Sequence, residues 1–407
     1  MRRSSRIALF FAAFALRACT SEPRREERCA QMKDDLAACI GNAAERIDCS
    51  AASDADIGRL SDASQGISCV LLSEALPIDG DARSAICRVL GVGCIAAVTP
   101  APTFAPAKYP VVLVNGIDTS PLFRFSGRIV KTMTDVGGHA VYLATLTPYE
   151  APRLRAPELW KRIQEVRTAT GAAKVNLICH SLGGLDCRYL VSPGGLGMAS
   201  AVASITTVGT AHHGTRLADV LLGIAPDGDR GKAVNDFATL VGDWFSDDAL
   251  EHDVHLRDAF RTLSVAEAPA FNAEITDAAG VYYQSYAGFS RPFGTATLEH
   301  DARLVELCTT SAGEDGRAGF TKHDYMALTL IPFSDVVGKM EDSREFTPND
   351  GLTAVSSARW GNFRGCIPAD HMEQLGERNI PDVNVETAFD VARFYANVAG
   401  DLSARGF

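Results

Sequence analysis

Residues 175–184, Val-Asn-Leu-Ile-Cys-His-Ser-Leu-Gly-Gly, bring a serine to the end of a short apolar run with two glycines close behind it. The run reads as a buried strand, and residues 185–190 read as a helix. A serine on so sharp a strand-to-helix turn presents its hydroxyl above a sheet, the arrangement called a nucleophile elbow. The turn strains the serine backbone, so the residues two places away on each side must be small. Gly183 meets that demand, whereas Cys179 stands where glycine is usual. Ser181 is therefore the candidate nucleophile of an acyl-transfer reaction.

The surrounding pattern supports a sheet beneath that serine. Residues 111–114, 140–143, 175–178 and 202–208 read as apolar strands, and residues 126–136 and 157–170 as helices between them. Leu159, Ile163 and Val166 share one face of the second helix. Strands alternating with helices imply a mostly parallel sheet covered on both faces. This domain is expected to span residues 109–407.

What precedes it is different in kind. Arg2, Arg3 and Arg6 followed by an apolar run over residues 7–15 form an export signal, expected over residues 1–18, too short to span a bilayer as a helix. Leu16-Arg17-Ala18-Cys19 resembles a bacterial lipobox, which leaves two readings: lipidation of Cys19, with membrane association, or ordinary cleavage nearby. Either puts the mature chain outside the cytoplasm, in the cell envelope or beyond it. Besides Cys19, six of the eleven cysteines (Cys29, Cys39, Cys49, Cys69, Cys87 and Cys94) fall within residues 19–97. In an exported chain that density implies a small, mostly helical module stapled by disulfides. A proline-rich linker over residues 98–108 follows it. Cys308 and Cys366 are candidates for a further bridge, and Cys179 and Cys187 read as buried thiols. A net charge of −11 argues against nucleic acid as a partner.

Serine needs a base to take its proton and an acid to orient that base. On a sheet of this type the order along the chain is serine, acid, histidine. His371, in Asp370-His371-Met372-Glu373, and Asp350, in Asn349-Asp350-Gly351-Leu352, sit in loop-like segments late in the chain. The oxyanion of a tetrahedral intermediate needs two backbone N–H donors. Leu182, just after the serine, and Ile117, in the loop after the first strand, are the candidates.

Taken together, these segments resemble the secreted bacterial triacylglycerol lipases of the pseudomonad type, within the α/β-hydrolases. The matching pieces occur in the family's order: residues 109–116, 174–188, 207–215, 349–352 and 370–373. The resemblance covers most of residues 109–400 and none of the cysteine-rich module. It implies an α/β-hydrolase fold with a helical lid, the triad Ser181, Asp350 and His371, and lipid esters such as acylglycerols as substrates, met at a lipid–water interface. Residues 216–265 correspond to the lid, with Leu217, Val220, Leu221, Leu222, Phe237, Leu240, Trp244 and Phe245 as its apolar content; the bland reading is that these side chains fill a core. Asn115 departs from the family's histidine beside the oxyanion loop. Several members bind calcium through an acidic residue two places after the histidine. That place holds Glu373 here, and Asp335 is the nearest upstream partner, with an ordinary surface carboxylate as the alternative. No other cofactor or metal is implied; His212-His213 cannot share a helix face as ligands. Two rival functions remain: an esterase or acyltransferase on non-lipid substrates, and a non-catalytic envelope-binding protein of the same fold.

Overall fold

The computed structural model describes residues 26–31, 34, 105–120, 123–225, 228–242, 244–291, 302–317, 324–339, 347–376, 387 and 389–407. The export signal, Cys19, most of the cysteine-rich module and the first part of the linker lie outside them. By contacts the chain divides into two compact units, Met1–Leu72 with Arg83–Val92, and Ser73–Ala82 with Gly93–Phe407. In the first unit, residues 26–31 are helical and Cys29 is buried and disulfide-bonded.

The second unit is built on a six-stranded sheet: β1 (Val111–Val114), β2 (Val141–Ala144), β3 (Val175–His180), β4 (Val202–Val208), β5 (Tyr282–Gly288) and β6 (Asn362–Ile367). The strands run in the order β2-β1-β3-β4-β5-β6 and every pairing is parallel. Parallel strands are buried on both faces and so need apolar side chains on both. β1 and β3 meet that demand. Val111, Leu113 and Ile178 pack with helices α1 (Gly127–Asp135) and α11 (Val391–Ala404), while Val112, Val114, Leu177 and Cys179 pack on the other face against α2 (Pro152–Thr170) and α3 (Gly183–Val191). Each such side chain, fully removed from water, contributes about 1.5–3 kcal/mol.

Local chemistry fixes where the helices begin. The Ser126 side chain accepts from the Ile129 N–H to start α1, and Asp390 caps α11 through Arg393. α2 starts at Pro152, five residues earlier than the sequence suggests. Two prolines compete for its first turn, and Pro157 is tolerated inside the helix. Gly171 closes it in the left-handed conformation.

The chain leaves β1 for β2 on one side and then crosses to β3 on the other. The carboxyl ends of β1 and β3 therefore lie side by side where the winding reverses, the place at which open parallel sheets hold ligands. The loop after β1 and the Ser181 turn both emerge there.

Between β4 and β5 lie α4 (Arg216–Leu221), α5 (Arg230–Val241), α6 (Asp247–His252), α7 (Val254–Thr262) and α8 (Ala268–Glu274). Asp229, Ser246 and Asp253 cap α5, α6 and α7 through their side chains. Leu217, Val220, Leu221, Phe237, Leu240 and Phe245 are buried in one cluster, which supports the core reading of these residues. Trp244, Ile224 and Val254 are instead exposed, at 50%, 44% and 59%. α9 (Ala302–Cys308) and α10 (Ile331–Gly338) precede β6. Cys308 is joined to Cys366, tying α9 to β6. No helix among the described residues is long and apolar enough to cross a membrane.

Candidate active site

Ser181 has φ +54°, and Tyr149 is the one other described non-glycine residue with positive φ. Such a backbone costs on the order of 1–3 kcal/mol and is held by its surroundings. Here the Ser181 N–H donates to the Val208 carbonyl on β4, and the Ser181 carbonyl accepts from Gly184 and from the Thr210 hydroxyl. Glycine is needed where the turn and the loop after β1 meet. A Cβ on Gly183 would lie 2.5 Å from the Asn115 carbonyl, and one on Gly116 would lie 2.8 Å from the Ser181 Cβ. The loop after β1 is thus pressed against the serine.

Cys179 and Cys187, read from sequence as buried thiols, are buried but disulfide-bonded to each other. The elbow folds α3 back along β3, so residues two before and six after the serine face one another. A cysteine at the small-residue position with a second one eight residues on was the signal.

The three side chains singled out for acyl transfer meet. His371 Nε2 lies 2.9 Å from Ser181 Oγ, and His371 Nδ1 lies 2.8 Å from Asp350 Oδ2. A carboxylate only accepts, so Nδ1 carries the proton and Nε2 is left to accept from the hydroxyl. Asp350 is fully buried. Its Oδ1 accepts from the N–H groups of Leu352 and Thr353, and Oδ2 also accepts from Gln374 Nε2 at 2.8 Å. The His371 N–H donates back to the Asp350 carbonyl. His371 follows directly from β6. Asp350 sits in a turn beside the one-residue bridge between Ser290 and Asn349 rather than after a full strand. The His180 ring packs 4.6 Å from that of His371. Burial, then the neighbouring His371, pushes His180 well below its usual range, so it stays neutral.

Ile117 and Leu182 flank the serine, and among the described residues neither backbone N–H donates to a protein acceptor. A buried N–H without a partner is costly, and a site that reserves two for a ligand oxygen is one way to meet the cost. Asn115 braces the loop: its Nδ2 donates to the carbonyls of Gly116 and Asp118, and its Oδ1 accepts from Leu146. Arg155 was invisible to motif reading. Its fully buried guanidinium pairs with Asp186 on α3 at 2.9 Å and donates to the carbonyls of Asn115 and Gly116 at 3.1 and 2.6 Å. With those carbonyls turned toward Arg155, the loop's remaining N–H groups are free to face Ser181.

The resemblance raises calcium at Glu373. Asp335 does not serve as its partner: it is exposed and paired with Lys339. Glu373 instead hydrogen-bonds with Asp324, which sequence reading passed over. Burial, then Asp324 and Asp370, pushes the Glu373 carboxyl well above its usual range. Two carboxyls, Asp324 and Glu373, thus meet beside the loop after β6. Among the described residues no group of three or more His, Cys, Asp or Glu side chains is placed to hold a metal ion, and no step below uses one. His212 is held by other partners. Its Nε2 lies 2.9 Å from the Thr207 hydroxyl and its ring stacks on Trp360.

No protein-family model matches the chain. It is 33% identical over 340 residues to a triacylglycerol lipase of Burkholderia plantarii, covering 74% of this chain and 88% of that one. It is 33% identical over 336 residues to a triacylglycerol lipase of Pseudarthrobacter phenanthrenivorans, covering 73% and 98%. Among solved structures it is similar to the mature Bacillus licheniformis lipase BlEst2, with TM-score 0.47 and 16% identity over 75% of this chain and 96% of that one. A parallel sheet of this order, together with this degree of identity over most of its length, makes the chain a member of the bacterial triacylglycerol lipase family, ester-cleaving serine hydrolases of the α/β-hydrolase fold.

Proposed function

We propose that the protein hydrolyses acylglycerols or similar lipid esters through an acyl-enzyme on Ser181. The unbroken contact from Ser181 Oγ through His371 to Asp350 is the observation that carries this reading. Ser181 Oγ attacks the ester carbonyl while His371 Nε2 takes its proton. Asp350 fixes the imidazole tautomer and stabilises the imidazolium. The N–H groups of Leu182 and Ile117 hold the oxyanion. His371 then returns the proton to the leaving alkoxide, which departs as the alcohol. Water, activated by the same imidazole, releases the fatty acid and restores Ser181. Residues 216–265 act as the lid, with exposed Trp244, Ile224 and Val254 as the side chains that meet a lipid surface.

The test is labelling of the folded protein by a fluorophosphonate, followed by a chain-length series of esters with and without an emulsion. Modification of Ser181 with preference for long, emulsified esters is expected. Labelling with preference for short soluble esters would make it an esterase, and no labelling would leave a binding protein. Mass spectrometry of the same sample reports the mature N-terminus and separates lipidation of Cys19 from ordinary cleavage nearby, either of which export would leave.

A further inference from the structure

We propose that Gln374 is a positioning residue for this reaction: its side-chain amide holds the Asp350 carboxylate in the orientation in which it serves His371. The inference rests on the Ser181–His371–Asp350 reading above. Gln374 Nε2 donates at 2.8 Å to Asp350 Oδ2, the oxygen that also accepts from His371. Because a carboxylate only accepts, the amide nitrogen must face it, and the reversed amide would oppose two acceptors.

The fold has made room for this amide. A Cβ on Gly209, just past β4, would lie 2.2 Å from Gln374 Oε1, and one on Gly288, ending β5, would lie 1.9 Å from Gln374 Nε2. The side chain is wholly buried between two strand ends that are bare for it. Its backbone is fixed as well: the Gln374 N–H donates to the Asp370 carbonyl, and the Tyr395 hydroxyl donates to the Gln374 carbonyl.

A neutral donor suits the place. The ionisable groups packed around the pair are His180 from β3, Asp370 and Glu373 from the loop after β6, Asp324 facing Glu373, and Tyr395 from α11. An amide orients the carboxylate without adding another charge to that set. Loss of the donor leaves Oδ1 anchored by Leu352 and Thr353 but Oδ2 held by His371 alone, so the carboxylate can tilt and the imidazole shifts in its register with Ser181. Misplacement of a reacting group by about 1 Å can cost up to about a hundredfold in rate.

The experiment compares Gln374→Met, which keeps length and removes the donor, with Gln374→Leu, which removes the amide in a shorter apolar side chain. Both are assayed on a soluble p-nitrophenyl ester at pH 8 beside the parent, with fluorophosphonate labelling and proton NMR of the downfield imidazole N–H. The expected result is kcat down roughly ten- to a hundredfold in both variants. KM stays within about threefold and the imidazole resonance shifts or broadens. Should Gln374→Met fail to fold, Gln374→Leu carries the comparison. A parent that labels, with variants that keep kcat and the resonance, overturns the role of Gln374 alone. A parent that does not label overturns the triad itself.

Discussion

Arg155 is a charge with no access to solvent, and its acceptors define its role. It ties α2 to the nucleophile helix through Asp186 and to the oxyanion loop through two carbonyls. Removing one partner of a buried pair strands the other, at about 3–5 kcal/mol. Arg155→Met is expected to lower unfolding free energy by that amount in urea titration, and an unchanged midpoint would refute the clamp. Its partner gives a pH signature. Burial raises Asp186 from 3.8 to about 6, against the pull of Arg155. A carboxyl with a raised folded pKa binds its proton more tightly when folded. Its contribution is therefore most favourable below the unfolded value near 3.8, falls as pH rises toward 6, and is flat beyond. In Asp186→Asn the slope of Tm against pH between 4 and 6 should be shallower than in the parent; identical slopes would assign that dependence to other groups. At the reaction centre, Ser181→Ala should reduce turnover by about 10⁴-fold or more with Tm nearly unchanged. Retained ester hydrolysis would remove the serine from the mechanism.

At the scale of elements, what sequence revealed and what it hid divide along a physical line. β1 and β4 were legible because Val-Val-Leu-Val and Val-Ala-Ser-Ile-Thr-Thr-Val are apolar enough to demand burial on both faces. β5, Tyr-Tyr-Gln-Ser-Tyr-Ala-Gly, was not. Its buried Gln284 and Ser285 are satisfied by Thr206 and by the Trp360 backbone, partners that exist only once the sheet has formed. The same holds at the site. Ser181, Asp350 and His371, which lie in contact, could be proposed from sequence because chain order restricts the choice. Arg155, Gln374 and Asp324 were missed because each acts through a contact far along the chain. The Cys179–Cys187 bridge rivets β3 to α3 on either side of the serine. Replacing both cysteines by alanine should cost about 2–3 kcal/mol, the loop-closure value for so short a ring. A calorimetric comparison under oxidising conditions decides it, and equal Tm values would show the bridge to be idle. The segment proposed as a lid touches the rest of the fold at a particular place. The Tyr149 ring meets Trp244 at 4.5 Å, its N–H donates to the Ile117 carbonyl, and its hydroxyl donates to Asp118. Trp244→Ser is expected to lower the rate on emulsified ester severalfold while sparing a soluble short-chain ester. An equal loss on both would deny Trp244 a role at the interface.

For the whole molecule, every group named in the mechanism belongs to the second unit. A chain of residues 73–407, which keeps both segments of that unit, should therefore keep kcat/KM on a soluble ester within about threefold of the full protein. A larger loss would give the cysteine-rich module a part in the reaction or in folding. The two disulfides among the described residues of this unit differ in reach: one closes 58 residues of chain and the other only 8. All four cysteines are sealed from water, and those of the shorter bridge flank the serine. A reducing thiolate must touch a sulfur to act, so dithiothreitol meets that bond only when the elbow breathes open. The rate at which activity decays in reductant would then saturate at high reductant concentration, and the plateau would be a clock for how often the structure around the serine comes apart.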